Sequence, residues 1–277
     1  MINTGIIYVV ATPIGNLQDL TPRARTILDQ VDLIVAEDTR HSRHLLNHFG
    51  IRTSLHSLHE HNERQVTEKL LIRVKNGENI AVISDAGTPL ISDPGYYFLQ
   101  QAHVENITVV PIPGASAIIS ALSVSGFPAN SFLFEGFLPA KTTARKHSLE
   151  NLVDESRTLV FYEAPHRIID SITDMADIFG EQRQAVLAKE LTKQFETIYR
   201  DNFIGLLNWL QAKVERQKGE FVIVVAGASP INNKILTPET ERVFNILRQE
   251  LPLKKAAKLT SEITGVSKNV IYNFGIS

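Results

Sequence analysis

Short apolar runs alternate with helix-like stretches over the first 226 residues of the chain. Eight of these runs have strand length, and several are apolar at both alternate positions, which is typical of strands covered on two faces. The pattern therefore predicts an α/β fold. The predicted strands are Ile6–Val10, Leu33–Ala36, Ile80–Ile83, Ile107–Val110, Phe132–Phe134, Thr158–Tyr162, Ala185–Ala188 and Phe221–Ala226.

Helix signals lie between the predicted strands. Thr21 and the proline that follows it predict an N-cap and a first helical turn, which opens a helix over Arg23–Gln30. Apolar residues recur at helical spacing in Asn62–Asn76 and Arg167–Phe179, and a glycine follows each segment. We expect a further helix over Ser116–Ser125.

Two turn-rich segments divide the chain. Pro111–Gly114 separates the first four strands from the rest, and the polar segment Gly227–Lys234 has the composition of a linker. We therefore predict an N-terminal α/β domain over residues 1–115, a second α/β domain over 116–230 and a helical tail over 235–277.

The tail has a purely helical pattern and more basic than acidic residues. Its last two helices are joined by a short glycine-containing turn, which indicates a helix-turn-helix-like unit. Charge alone leaves two interpretations open: a helical cap or dimer element, or an RNA anchor whose phosphate contacts include Lys254, Lys255 and Lys258. The predicted helices are Thr237–Glu250, Leu253–Thr264 and Ser267–Tyr272.

Composition narrows the functional classes. The formal net charge is −2, so a polyanionic partner must be met by a local patch rather than by global attraction. Cysteine is absent, which excludes disulfides, thiolate metal sites and a cysteine nucleophile. We expect no metal at His56, His59 and His61, because they have no cysteine and no helical carboxylate–histidine pair beside them. We also expect no membrane span and no signal peptide, hence a cytoplasmic location.

Polar or small-residue loops follow the predicted strands in both halves of the chain. Ligands of α/β proteins bind at the carboxyl ends of strands, so these loops predict one cleft between two domains. The chain contains neither G-x-G-x-x-G nor G-x-x-x-x-G-K-[ST], which argues against a dinucleotide crevice, a methyltransferase with a glycine-rich first loop and a P-loop NTPase. The loops are Ala11–Leu17, Ala36–Ser42, Ser84–Gly95, Pro113–Ala117, Phe161–Arg167 and Ala188–Glu196.

The succession of these loops resembles the tetrapyrrole-methylase superfamily, and within it a branch that methylates ribosomal RNA. The resemblance covers about Tyr8 to Ala226 and extends to the tail segment KKAAKLTSEITGVSKNVIY. It implies two α/β domains, a homodimer and S-adenosylmethionine held in the interdomain cleft. It also implies 2′-O-methylation of a cytidine in the decoding region of 16S ribosomal RNA, either free or in the small ribosomal subunit. The motifs are ATPIGNL, AEDTRHS, HEHNE, SDAGTPLISDPG, PGASA, FYEAPHR and AKELTKQFE.

The resemblance also implies a cofactor site. Its methionine side would be lined by the first, third and fourth loops, and its adenosine side by residues of the second domain. The implied cofactor-binding residues are Pro13, Asp85, Ala86, Gly87, Leu90, Ser116 and Ala117 on the methionine side, and Tyr162 and Leu191 on the adenosine side.

A ribose hydroxyl is a poor nucleophile, and a general base would add roughly 10²–10⁴-fold to the rate. The candidate bases are Glu190, Glu163, Asp38 and His166, with proton loss to water as the alternative; Asp38 can instead cap the following helix.

Four further cations are candidate phosphate contacts, and each can instead pair with a neighbouring acid. Two other functions stay open: a small-molecule tetrapyrrole methyltransferase of the same fold, and a non-catalytic RNA-binding protein. The four cations are Arg40, Arg167, Lys189 and Lys193.

Overall fold

The computed structural model describes residues 4–228, 236 and 238–276. Within them the chain forms two five-stranded sheets with flanking helices and a C-terminal group of helices. The strands are β1 Ile7–Val10, β2 Leu33–Ala36, β3 Leu55–Ser57, β4 Ile80–Ile83, β5 Val109–Ile112, β6 Phe132–Phe137, β7 Thr158–Glu163, β8 Gln184–Lys189, β9 Thr197–Asn202 and β10 Phe221–Val225. The helices are α1 Pro22–Gln30, α2 Thr39–His48, α3 Glu63–Lys75, α4 Tyr96–Val104, α5 Ala117–Ser125, α6 Thr142–Glu150, α7 Ile168–Phe179, α8 Phe203–Gln211, α9 Pro238–Glu250, α10 Leu253–Thr264 and α11 Lys268–Phe274.

The first sheet is parallel throughout, with strand order β3-β2-β4-β1-β5. Alternate residues of its strands enter two separate cores: Ile7 and Val35 pack with α3 and α4, whereas Val10 and Ile34 pack with α1 and α2. The doubly apolar strands of the sequence are thus explained by helices on both faces.

The second sheet is mixed, with order β6-β7-β10-β8-β9. β6 is parallel to β7, whereas β10 is antiparallel to both of its neighbours. One face packs against α6, α7 and α8, and the other packs against α5, which directly follows the first sheet. The predicted α/β class with two sheet-containing halves is therefore confirmed, while the boundaries at 115 and 230 stay predictions.

Two strands were not predicted from the sequence, and both lie at sheet edges. β3 has a single apolar residue, Leu55, because only one side of this short edge strand faces the core. β9 alternates half-buried and exposed residues, a weaker signal than that of the central strands. The fourth strand runs two residues later than predicted, through Pro111, which an edge strand tolerates because its N–H side is unpaired.

The C-terminal helices form a small core of their own around Phe244, Ala256, Ala257, Val266 and Ile271. The three predicted tail helices are confirmed with small shifts at their ends. Of the predicted linker, residues 229–234 lie outside the described part of the chain. No described helix is both long enough and apolar enough to span a bilayer.

Candidate functional site

Four loops meet at one edge of the first sheet because its strands all point the same way. Two backbone hydrogen bonds join Thr12 to Gly87, so the first and third loops form a miniature antiparallel bridge. Gly87 has φ of +81°, a left-handed conformation that glycine adopts without the Cβ penalty of other residues. The Thr88 hydroxyl donates to the carbonyl of Ala115 at 3.2 Å, which ties the third loop to the fourth. The loops therefore hold one another in place.

The third loop contains backbone strain. Leu90 and Ser92 both have positive φ, at 73° and 70°, although neither is glycine. Such conformations are unfavourable and concentrate at functional sites, where the surrounding structure imposes them. Ser92 lies against Gly136 of the second sheet, so this loop reaches across to the other domain.

The second domain supplies the opposite wall. β7 and β8 end at this wall, and β10 starts there because it runs antiparallel: Phe221 is in register with both Glu163 and Lys189. The ring of Tyr162 packs against Phe134 and Phe137, with centroid distances of 5.0 and 5.4 Å.

A cleft of about 550 Å³ lies between these walls. Its volume is that of a small-molecule site. Apolar and small residues of both domains line it, together with five carboxylates and no lysine, arginine or histidine. The lining residues are Ile14, Glu37, Asp85–Thr88, Ile91–Asp93, Ser116, Ala117, Phe137, Tyr162–Pro165, Ala188, Leu191 and Glu220–Val222.

Three of the carboxylates, Glu37, Asp85 and Asp93, form no ion pair with the described residues. Burial raises the pKa of Asp93 to about 6, and the charges of Glu37 and Asp85 add to the rise, against a hydrogen bond from Ser84. Burial and Asp85 also raise the pKa of Glu37, while His59 acts against this. The pKa of the Tyr162 phenol rises to about 12, through burial and then the charge of Asp93. The cleft thus favours a cationic ligand.

Seven of the nine sequence-predicted cofactor residues line this cleft, as does Glu163. Pro13 and Leu90 are outside the lining, where their neighbours Ile14 and Ile91 stand instead. The seven residues are Asp85, Ala86, Gly87, Ser116, Ala117, Tyr162 and Leu191.

Both oxygens of the Glu163 carboxylate are engaged. One is 2.7 Å from the Arg167 guanidinium and accepts the N–H of Ala164, and the other accepts the hydroxyl of Ser171. The side chain is fully buried. These contacts attach the end of β7 to the start of α7, so the geometry favours a structural carboxylate over a base.

Glu190 lies outside the cleft lining. Its carboxylate pairs with Lys193 at 2.9 Å and accepts the backbone N–H of Glu220 at 2.9 Å. Burial raises the pKa of Glu190, but these two hydrogen bonds outweigh it and the net change is a lowering. Lys193 also pairs with Glu220, so this candidate phosphate contact has two acidic partners.

The other candidates divide between local pairs and solvent. Asp38 caps α2 and pairs with the exposed Arg40, whose hydrogen bonds lower the pKa of Asp38 to about 2. This is the capping role that the sequence left open. His166 is exposed in the turn before α7, and Lys189 is buried, with 7% of its surface exposed.

Sequence reasoning missed several cleft residues, above all Glu37 and Asp93. Both stood in loops that were singled out, but Glu37 precedes the charged motif and Asp93 could serve as a helix cap. In the structure Gly95, not Asp93, takes the capping position of α4. The distinguishing signal, burial among other carboxylates without a cation, exists only in three dimensions.

These features define a two-domain α/β methylase with an interdomain cleft. The sequence matches the family of "Tetrapyrrole (Corrin/Porphyrin) Methylases" over residues 6–204, and the chain belongs to that family. Residues 235–277 match the "RsmI C-terminal HTH domain". The family predicted from the loop motifs is confirmed.

Curated relatives match the chain almost end to end. The chain is 52% identical over 271 residues to ribosomal RNA small subunit methyltransferase I of Pseudomonas aeruginosa, covering 98% of this chain and 96% of the relative. It is 51% identical over 275 residues to the protein of that name from Haemophilus influenzae, covering 99% and 97%.

Solved structures share the fold at much lower identity. A cobalt precorrin-4 methyltransferase superposes with a TM-score of 0.60 at 13% identity, covering 80% of this chain and 94% of that one. The uroporphyrin-III C-methyltransferase of Thermus thermophilus complexed with S-adenosyl homocysteine has a TM-score of 0.55 at 14% identity, with 81% and 98% covered.

Proposed function

We propose that the chain is an S-adenosylmethionine-dependent methyltransferase that modifies the ribose 2′-oxygen of a cytidine in the decoding region of 16S ribosomal RNA. The observation that carries the proposal is the joint presence of the acid-lined cleft and the C-terminal helical module, in the order in which the curated rRNA methyltransferases contain their matching parts. We place the activity in the cytoplasm and expect a homodimer, as the resemblance implies.

The residues of the cleft fit this cofactor. Asp85, Asp93 and Glu37 present negative charge without a competing cation, which suits the sulfonium and ammonium groups. Tyr162, Leu191 and Val222 offer an apolar wall for adenine. When bound, S-adenosylmethionine supplies an electrophilic methyl group. The protein's part is to align the acceptor, exclude water and take up a proton.

Asp93 is the group we assign to the proton of the 2′-hydroxyl. It lines the cleft and lies close enough to Tyr162 of the second domain for its charge to raise that residue's pKa, and it has no ion-pair partner among the described residues. A carboxylate with a pKa of about 6 is ionised at neutral pH and is more basic than an ordinary aspartate. Of the four bases considered from the sequence, Glu163, Glu190 and Asp38 are held in local contacts, and His166 points to no described partner in the cleft.

Two other functions are weighed against this one. A small-molecule tetrapyrrole methyltransferase would share the cleft, and the solved fold neighbours include such enzymes, but at 13–14% identity they support the fold alone. A non-catalytic RNA-binding protein would have no use for a strained loop that gathers unpaired carboxylates in a cleft.

The deciding experiment is methyl transfer from labelled S-adenosylmethionine to three acceptors: free 16S RNA, intact small subunits and a tetrapyrrole extract. We expect label in the RNA or the subunits and none in the extract. The modified nucleotide should resist alkaline cleavage, because that cleavage requires a free 2′-hydroxyl, and a 2′-deoxycytidine at the target should accept no methyl group. Label only in tetrapyrroles would establish the first alternative, and no transfer to any acceptor would favour the second.

Asp85→Ala tests the cofactor site. Loss of a hydrogen bond or charge contact to a charged ligand is worth about 1.5–3 kcal/mol, so we expect S-adenosylmethionine affinity to fall roughly 10- to 100-fold by calorimetry. Asp29→Ala, an exposed aspartate in α1, is the control. Unchanged affinity in the Asp85 variant would remove this residue from the site.

Replacing Lys254, Lys255 and Lys258 by alanine tests the tail as an RNA anchor. All three are exposed on α10, away from the module's core. We expect a higher KM for RNA and a shallower dependence of binding on salt, by up to about 0.7–0.9 logarithmic units per lost phosphate contact. Affinity for S-adenosylmethionine should not change. Deleting residues 235–277 should give the larger form of the same result, whereas equal loss of both affinities would indicate a structural cap.

A further inference from the structure

A second groove, of about 740 Å³, lies on the far side of the cleft wall. The two cavities share that wall: Ala188, Leu191 and Glu220 face the cleft, while their chain neighbours line the groove. The groove is lined by Lys189, Glu190, Gln194–Thr197, Trp209, Glu215, Arg216, Lys218 and Gly219.

The groove presents an exposed aromatic side chain. Phe195 is 68% exposed, and it stands on a loop that is firmly held. Glu190 and Thr192 adopt positive φ of 51° and 65°, and Gly219 approaches the Glu190 side chain so closely that a Cβ there would clash. The N–H of Thr192 donates to the Glu196 carboxylate at 2.6 Å, and the Thr192 hydroxyl accepts the N–H of Asn16 from the first domain. Holding a large apolar ring in water on a strained, braced loop indicates a binding role.

Cations and a second aromatic group surround this ring. Trp209 stacks on Tyr199 with centroids 4.7 Å apart, and the Arg216 guanidinium lies 4.7 Å from the Trp209 centroid. Within the described ranges, neither Arg216 nor Lys218 pairs with a carboxylate. Two of the three acids of the groove are engaged: Glu190 with Lys193, and Glu196 with the Thr192 backbone.

We infer that this groove binds a single-stranded nucleotide next to the methylated one, with its base stacked on Phe195 and its phosphate near Arg216 and Lys218. An exposed aromatic ring beside unpaired cations is the combination that single-stranded nucleic acid recognises. The inference rests on the proposed RNA substrate. It adds a contact that the cleft itself does not supply, since the cleft lining contains no cation.

Trp209 is the only tryptophan of the chain, so its fluorescence reports on the groove. We expect a single-stranded oligocytidylate hexamer to change Trp209 emission saturably in the full-length protein, and a duplex of that length to do so much less. Phe195→Ala should weaken the hexamer affinity by between about 5- and 150-fold, and Phe195→Tyr should restore it. Val104→Ala, which trims an equally exposed apolar residue on α4, is the matched control.

In methylation assays Phe195→Ala should raise the KM for RNA and leave S-adenosylmethionine affinity unchanged. Emission that does not respond to the hexamer, in a wild-type protein that still methylates RNA, would overturn the groove while leaving the proposed function standing. A dimer that dissociates on Phe195→Ala, with no hexamer response, would assign the groove to a second copy of the chain and also overturn it. Loss of RNA methylation by the wild-type protein would instead refute the function.

Discussion

Asp93→Asn should lower kcat by roughly 10²–10⁴-fold, the contribution of a positioned general base. Asparagine keeps the size of the side chain but cannot take a proton. In the wild type, kcat/KM should rise with pH and level off above about 6, because the carboxyl, whose pKa burial raises to about 6, must be ionised to act. In the variant this rise should disappear. Rapid-quench turnover with saturating cofactor, repeated from pH 5 to 8, measures both effects.

A stability measurement separates lost chemistry from lost folding in this variant. The folded-state pKa of Asp93 lies above the value of about 3.9 expected of an unfolded aspartate, so the folded state holds its proton more tightly. Ionised Asp93 therefore destabilises the fold at pH 7.5, and this effect vanishes as the pH falls toward 4. Asp93→Asn should thus melt at a higher temperature than the wild type at pH 7.5 and at the same temperature near pH 4. An active Asp93→Asn enzyme, or one with an unchanged pH profile, would rule out Asp93 as the base.

Glu163→Ala should have the largest effect on stability. Removing one partner of a buried ion pair destabilises by about 3–5 kcal/mol, because the remaining charge stays buried without compensation. Here the Arg167 guanidinium and the Ser171 hydroxyl both lose their acceptor. Urea or thermal denaturation, followed by far-ultraviolet circular dichroism, measures the loss.

Two further variants make this prediction specific. Glu163→Gln retains acceptors for the Arg167 guanidinium and the Ala164 N–H, so it should keep the turnover per folded molecule while losing only part of the stability. Glu155→Ala breaks a comparable Arg–Glu pair at the surface, where such pairs contribute little, and should change stability far less. Abolished turnover in a well-folded Glu163→Gln enzyme would return Glu163 to the list of bases.

Most of the architecture was predictable because burial on both faces leaves a direct mark in the sequence. The central strands of the first sheet, such as Leu33–Ala36 and Ile80–Ile83, are apolar at every position and were predicted with their observed bounds. Edge strands bury one side or less, so β3 and β9 carry too few apolar residues to be distinguished from loops.

The candidate site was predictable as a set of loops but not as a set of roles. Asp85, Gly87, Ser116 and Tyr162 were placed correctly in one cleft, because strand-end loops of a parallel sheet must converge. Which acid is paired and which is left unpaired was not predictable. Glu163 and Glu190 look like equally good bases in the sequence, yet each has a cation within 2.9 Å that only the fold brings into contact.

The sequence by itself therefore determined the α/β class, the helical tail and the family, since these depend on local periodicity and on motifs that are contiguous in the chain. The tertiary structure alone decided which carboxylates lack an ion-pair partner, where Phe195 stands, and that the cleft wall has a second groove behind it. These properties arise from distances between residues far apart in the chain and from the exclusion of water around them, neither of which is encoded at any single position.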